Sequence, residues 1–139
     1  MLTSPKKLLS AVIISTTLLS PVVSMATAAS DADWQPVASE KLIRMPAKYM
    51  DVSIERHYQK SSLATGINAL DTQIQMEVAR MNESHSAVEE ADVEQAVALR
   101  HQFLIAKSNY LELMHEKHQL SERALTKKAK LYQKVDLLT

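Results

Sequence analysis

The fold of this chain is decided by residues 63–81, which read LATGINALDTQIQMEVARM. Six apolar side chains recur there in steps of three and four residues, a spacing that places them on one face of a helix. They are Leu63, Ile67, Leu70, Ile74, Val78 and Met81. The stretch therefore predicts an amphipathic helix that needs a second apolar surface to cover it.

A longer apolar pattern follows in residues 86–138 and predicts a long C-terminal helix. Its main band consists of Leu99, Phe103, Ala106, Tyr110, Leu113, Leu120, Ala124, Leu131 and Leu138. A second line, in heptad register beside the band, consists of Val97, Leu104, Leu111, Leu125 and Tyr132. So wide an apolar surface implies contact with two neighbours rather than one.

The residues between these patterns favour an all-α fold. Gly66 is the only glycine, and Pro36 and Pro46 are the only prolines after residue 28, so the turns that a sheet requires are missing. We predict helices at about 46–60, 63–81 and 86–138, with Pro46 at a first helical position. Together they form a helical hairpin with one long C-terminal helix and a shorter leading helix, in coiled-coil-like packing.

The hairpin turn is predicted at residues 82–86, where the apolar pattern is interrupted. Ser86 and Glu89 have the spacing of a capping box, which starts a new helix. No glycine or proline enforces a turn there, so a continuous rod is the alternative.

Residues 1–28 have the charged, apolar and small-residue order of a secretory signal peptide. Lys6 and Lys7 precede the apolar run of residues 8–23, and Ala26 and Ala28 form an A-x-A cleavage site. We expect an exported protein, periplasmic if bacterial and otherwise secreted, with no transmembrane segment after cleavage. An uncleaved membrane anchor is the alternative, because the run approaches the roughly 20 residues that span a bilayer.

Residues 29–45 show no periodicity and predict an extended or partly ordered lead-in. Trp34, the only tryptophan, either docks on the helices or belongs to a mobile N-terminus.

Charge and composition exclude several functional classes. Loss of Lys6 and Lys7 with the signal leaves 14 basic and 16 acidic residues, a net charge of −2, which argues against nucleic-acid binding. The chain contains no cysteine, which excludes disulfides and thiol catalysis. No catalytic triad or nucleotide-binding motif occurs, so we predict that the protein is not an enzyme.

One cluster suggests a transition metal. Glu112, His115 and His118 are spaced by three residues and Glu116 lies between them, so neighbouring helical turns present carboxylate and imidazole groups together. The other interpretation is a solvated polar face of the helix. A metal-binding sensor or buffer is therefore the second functional hypothesis.

The leading hypothesis is an adaptor, assembly factor or holdase-like chaperone that works through protein contact, with another protein or a second copy as partner. The expected contact surface lies at the end of the last helix, which the shorter helices do not reach. Its apolar part is Leu125, Leu131, Tyr132, Val135 and Leu138, and its basic part is Arg123, Lys127, Lys130 and Lys134. The basic residues also have a purely structural interpretation, because positive charge complements the dipole at a helix C-terminus.

Overall fold

The computed structural model describes residues 32–139, and within that range it contains four helices and no strand. They are α1 (Glu40–Ile43), α2 (Ala47–Gln59), α3 (Ser62–Glu90) and α4 (Val93–Leu138). The two long helices, α3 and α4, pack against each other as a hairpin. The predicted all-α hairpin with a long C-terminal helix is confirmed.

The hairpin turn lies at Ala91 and Asp92, and the predicted turn at residues 82–86 is wrong. Helix α3 continues through that interruption, because the stretch contains no residue that breaks a helix and Ser84 is buried in the hairpin. The capping residue that begins α4 is Asp92, whose side chain accepts a hydrogen bond of 2.8 Å from the Gln95 amide. Ser86 and Glu89 lie inside α3 and cap no helix.

The start of α3 lies where the sequence places it. The Ser61 side chain accepts a hydrogen bond from the Ala64 amide, and the Leu63 amide donates to the Asp33 carbonyl. Two of the amides that a helix leaves unpaired at its N-terminus are thereby satisfied. Pro46 lies one residue before α2, at its N-cap, rather than at the first helical position.

The apolar stripe of α3 faces α4, as the spacing predicts. Leu63, Leu70 and Ile74 are buried, and Ile67 is half-buried. They meet the main band of α4, in which Ala106, Leu120 and Ala124 are buried. At 1.5 Å per residue, α4 is roughly 69 Å long and α3 roughly 44 Å, so the C-terminal part of α4 extends beyond α3.

The N-terminal segment covers this extension. Residues 32–39 have no regular secondary structure, yet Ala32 and Trp34 are buried. With Leu42 of α1 and Ile54 of α2 they form one core cluster, which also includes Leu131 of α4. The predicted lead-in is thus packed rather than mobile over residues 32–45, and residues 40–43 of it are helical.

Gly66 makes one close approach possible in this core. A Cβ atom at Gly66 would lie 3.0 Å from the Ala32 Cβ, so the missing side chain lets the lead-in lie directly on α3.

The predicted signal peptide, residues 1–28, and residues 29–31 of the lead-in lie outside the described residues. Of the four helices in residues 32–139, none combines the length and apolar composition that crossing a membrane requires.

Candidate functional site

Trp34 is the central side chain of the N-terminal cover. Its indole is 2% exposed, and its Nε1 donates a 2.8 Å hydrogen bond to Nδ1 of His57. The indole also meets the Tyr58 ring edge-on, with 5.2 Å between the ring centroids, a favoured geometry for aromatic pairs. The sequence allows Trp34 to dock on the helices or to belong to a mobile N-terminus, and in the structure it is docked.

Two of the four predicted basic residues, Arg123 and Lys127, hold this cover in place. Lys127 pairs with the Asp33 carboxylate and donates to the Trp34 carbonyl at 2.6 Å. Arg123 donates to the Ala32 carbonyl at 3.1 Å, and Lys128 lies 2.9 Å from a Glu55 carboxylate oxygen. These cations therefore bind residues of the chain itself. Neither a partner-binding surface nor a complement to the helix dipole predicts such contacts.

The two lysines lower the pKa values of the carboxylates with which they pair. The hydrogen bond from Lys127, assisted by the Trp34 amide, lowers the pKa of Asp33 from 3.8 to about 2. The hydrogen bond from Lys128 lowers the pKa of Glu55 in the same way. Both carboxylates hold their charge where the cover meets α4.

The apolar part of the predicted contact surface is mostly covered. Leu131 and Val135 are each 4% exposed, and Tyr132 is half-buried with its hydroxyl donating to Asp51. The prediction that these three form an open strip is wrong, because it counted only a 15-residue helix as cover. Extended residues 32–39 span up to about 3.3 Å each, more than twice the reach of helical residues.

Five members of the predicted surface remain exposed: Arg123, Leu125, Lys130, Lys134 and Leu138. Leu138 is the last helical residue, next to the chain end. Leu125 lies on the opposite side of α4 from the hairpin and belongs to a longer apolar line.

The predicted metal ligands Glu112, His115, Glu116 and His118 lie on α4. Across residues 32–139, no group of three or more His, Cys, Asp or Glu side chains is placed to hold a metal ion. His115 lies within hydrogen-bond distance, 3.1 Å, of the Gln119 amide, and His118 lies 3.3 Å from a Glu122 oxygen. Glu112, His115 and His118 are exposed and Glu116 is half-buried, and a metal site at these residues stays a prediction.

One uncovered apolar feature is a line along the outer face of α4, which we call the outer stripe. Its members are Val97 (61% exposed), Leu104 (60%), Leu111 (56%) and Leu125 (66%). The stripe runs for roughly 42 Å, because 28 residues separate its ends. A row of large apolar side chains of this length is typical of a protein-contact surface.

The spacing of the outer stripe matches that of the buried seam. Leu99, Ala106, Leu113 and Leu120 face α3 at intervals of seven residues, and the outer stripe follows the same interval two positions earlier. A strict seven-residue repeat imposes a left-handed supercoil. The winding that keeps the inner seam on α3 therefore also keeps the outer stripe aligned for a second helix.

The outer stripe includes one polar position and is flanked by others. His118 occupies the heptad position between Leu111 and Leu125, and His101, Ser108 and His115 lie beside the stripe. Arg100 and Lys107 follow one edge. This alternation of apolar and charged positions is typical of coiled-coil surfaces.

The sequence analysis missed one buried acidic residue, Glu77. Its Oε1 accepts a 2.9 Å hydrogen bond from Arg80, while its Oε2 is buried and has no partner. Glu77 lines a groove of about 390 Å³ between α3 and α4, together with Ser84, Gln102 and Asn109. Glu77 lies three residues after Ile74, which places it on the apolar stripe of α3. This spacing is the feature of the sequence that indicates its burial.

A second groove, of about 460 Å³, lies between the lead-in and α2. Trp34, Leu42 and Ile54 form its floor, and exposed Val37 and Tyr49 form its rim. Its floor is the core cluster of the N-terminal cover, so the groove marks the boundary of that packing.

Comparison of the chain with models of protein families, with curated protein sequences and with solved structures found no match.

Proposed function

We propose that this chain is an exported, non-enzymatic helical protein that acts through protein contact, with the outer stripe of α4 as its contact surface. The observation that carries the proposal is the exposure of Val97, Leu104, Leu111 and Leu125 on the face opposite the hairpin. A helix whose two faces are both apolar is built to pack on two sides.

The free energy available from the stripe indicates the strength of the contact. Full burial of a large aliphatic side chain contributes about 1.5–3 kcal/mol, and these four are already partly covered, so the stripe offers roughly 4–7 kcal/mol. Association costs at least about 4 kcal/mol in lost translational and rotational freedom. The stripe alone therefore supports a weak contact, and the polar residues at its edges must contribute the rest.

Adaptors and holdase-like chaperones both use moderate, reversible contacts of this kind. The acidic residues near the start of α4 and the lysines near its end also give this helix two ends of opposite charge. Asp92 and Glu94 stand at one end, and Lys130 and Lys134 at the other. Opposite charges at the two ends favour a defined orientation of the partner.

Site-specific photo-crosslinking in cells tests the proposal. A photoreactive amino acid at Leu104 or Leu111 should form a discrete crosslinked product, because the partner covers those positions. Gln75, exposed on α3, is the matched control and should give none. Equal labelling at Leu104 and Gln75, or no product at either stripe position, would exclude the outer stripe as the contact surface.

The export part of the proposal has its own measurement. Intact-mass analysis of the protein from an envelope fraction should give a chain that begins near Ala29. A full-length species in the membrane would instead favour the uncleaved anchor.

A further inference from the structure

We infer that the partner on the outer stripe is a second copy of this chain, with the two α4 helices antiparallel and a two-fold axis at Leu111. The inference rests on the proposed function and names the partner of that same surface. It follows from how the residues along the outer face of α4 match one another when the helix is reversed.

The apolar residues match under this reversal. With a two-fold axis at Leu111, each residue before position 111 lies opposite the residue of the second copy that is the same number of positions after 111. Leu111 then meets Leu111, and Val97 meets Leu125 of the second copy. Leu104 faces His118, whose ring can lie on a leucine while its nitrogens stay in water. All five heptad positions from 97 to 125 are thus used.

The charges at the edges match as well. Arg100 faces Glu122 of the second copy. Arg100 has no hydrogen-bond or ion-pair partner within residues 32–139, so it is available. This pair occurs twice in a two-fold dimer, which gives two favourable pairs.

One contact in this arrangement is less favourable. Lys107 faces His115 of the second copy, and Glu112 lies beside the axis near its own symmetry mate.

A parallel dimer fits the same surface less well. Every residue would face its own copy, which sets Arg100 against Arg100, Lys107 against Lys107 and Glu122 against Glu122. Like charges directly opposite are unfavourable, and the acidic and basic ends of α4 would each meet their own kind. The charge pattern therefore selects the antiparallel orientation.

The size of the contact sets the expected affinity. Overlap from about residue 93 to residue 129 is roughly 55 Å long, and a strip about 10 Å wide would bury roughly 550 Å² per copy. A stable interface buries about 800 Å² per partner. We therefore expect a reversible dimer with a dissociation constant in the micromolar range.

Sedimentation velocity at pH 8, over about 1 to 200 µM protein, measures the dimer directly. Leu111→Asp should raise the dissociation constant by at least about a hundredfold, because it places two carboxylates on the axis. Gln75→Asp, on the exposed side of α3, should leave it unchanged. Far-UV circular dichroism of both variants checks that the helices are retained.

Charge exchange tests the register. Arg100→Glu should weaken the dimer about three- to tenfold, and adding Glu122→Arg to the same chain should restore it. Failure of the second substitution to restore affinity would refute this register.

The absence of cysteine from the chain allows a direct test of orientation. Leu111→Cys protein should form a disulfide-linked dimer on mild oxidation, because the two sulfurs meet at the axis. Val97→Cys protein should link to Leu125→Cys protein in a mixture, while each alone stays unlinked. Leu104→Cys protein should not link to itself.

The outcomes separate the two proposals. Self-linkage of Val97→Cys and Leu104→Cys proteins would indicate a parallel dimer and overturn the inference. A chain that stays monomeric at all concentrations would overturn it as well. If Leu104 were still photo-crosslinked to a different protein in cells, the contact surface would stand and only its occupant would change.

Discussion

Replacement of Trp34 by alanine tests whether the N-terminal cover is part of the cooperative fold. The indole is 2% exposed, and removing a buried tryptophan side chain costs about 3–5 kcal/mol. The lost hydrogen bond to His57 adds little, because His57 is exposed and its Nδ1 can accept from water. The lead-in can also move away rather than leave a cavity. We therefore expect the free energy of unfolding to fall by about 3–4 kcal/mol.

Urea denaturation followed by circular dichroism at 222 nm gives this free energy. Residues 32–39 are not helical, so Trp34→Ala should keep nearly the full helical signal in water while its midpoint falls. In the unaltered protein, tryptophan fluorescence and circular dichroism should report the same transition, because Trp34 lies in the common core cluster.

Val37→Ala is the matched control, since Val37 lies in the same segment with its side chain largely exposed. Its effect should stay within about 0.5 kcal/mol. A loss below about 1 kcal/mol for Trp34→Ala, or a fluorescence transition well before the helical one, would refute the argument that the cover and the hairpin unfold together.

Three further predictions concern titration and burial. Lys127 lowers the pKa of Asp33 from 3.8 to about 2. The contribution of Asp33 to stability is therefore complete above pH 3.8 and is lost as the pH falls through about 2. In urea titrations at acid pH, Asp33→Asn should lose less of its free energy of unfolding than the unaltered protein. The hydrogen bond to Asp51 raises the pKa of Tyr132 from 10.0 to about 12. The contribution of Tyr132 to stability is therefore complete below pH 10 and is lost as the pH rises through about 12. In thermal melts, Tyr132→Phe should show a smaller fall in melting temperature at alkaline pH than the unaltered protein. Glu77→Leu should raise the free energy of unfolding by about 1 kcal/mol or more, because it removes a buried carboxylate oxygen without a partner, and an unchanged or lower urea midpoint would contradict this.

The sequence predicts the hairpin because its two long apolar patterns are local and regular. Six residues of α3 repeat at helical spacing, and in the structure three are buried and three half-buried against α4. The turn was misplaced because two capping signals compete within a few residues. Ser86 with Glu89 and Asp92 with Gln95 have the same spacing, and local chemistry alone does not rank them.

The position of the contact surface could be predicted only in part. The heptad line through Val97, Leu104 and Leu111 is visible in the sequence, as is the need for a second neighbour of α4. Nothing local indicates that residues 32–39 would cover Leu131, because the pairs that fix them are distant in the chain. Lys127 and Asp33 are separated by 94 residues, and such a pairing leaves no periodic signal.

That pairing of distant residues has a consequence for when the protein can fold during its synthesis. Ala32 and Trp34 pack on side chains that the ribosome adds much later, among them Leu131 and Val135. At roughly 5–20 residues per second, residues 32–39 stay without their binding site until the C-terminal part of α4 has been made. Contacts so far apart in sequence also slow the final docking step. Residues 32–39 therefore stay undocked while the residues between them and the end of α4 are being made, and the core cluster that joins them to α4 forms only after that.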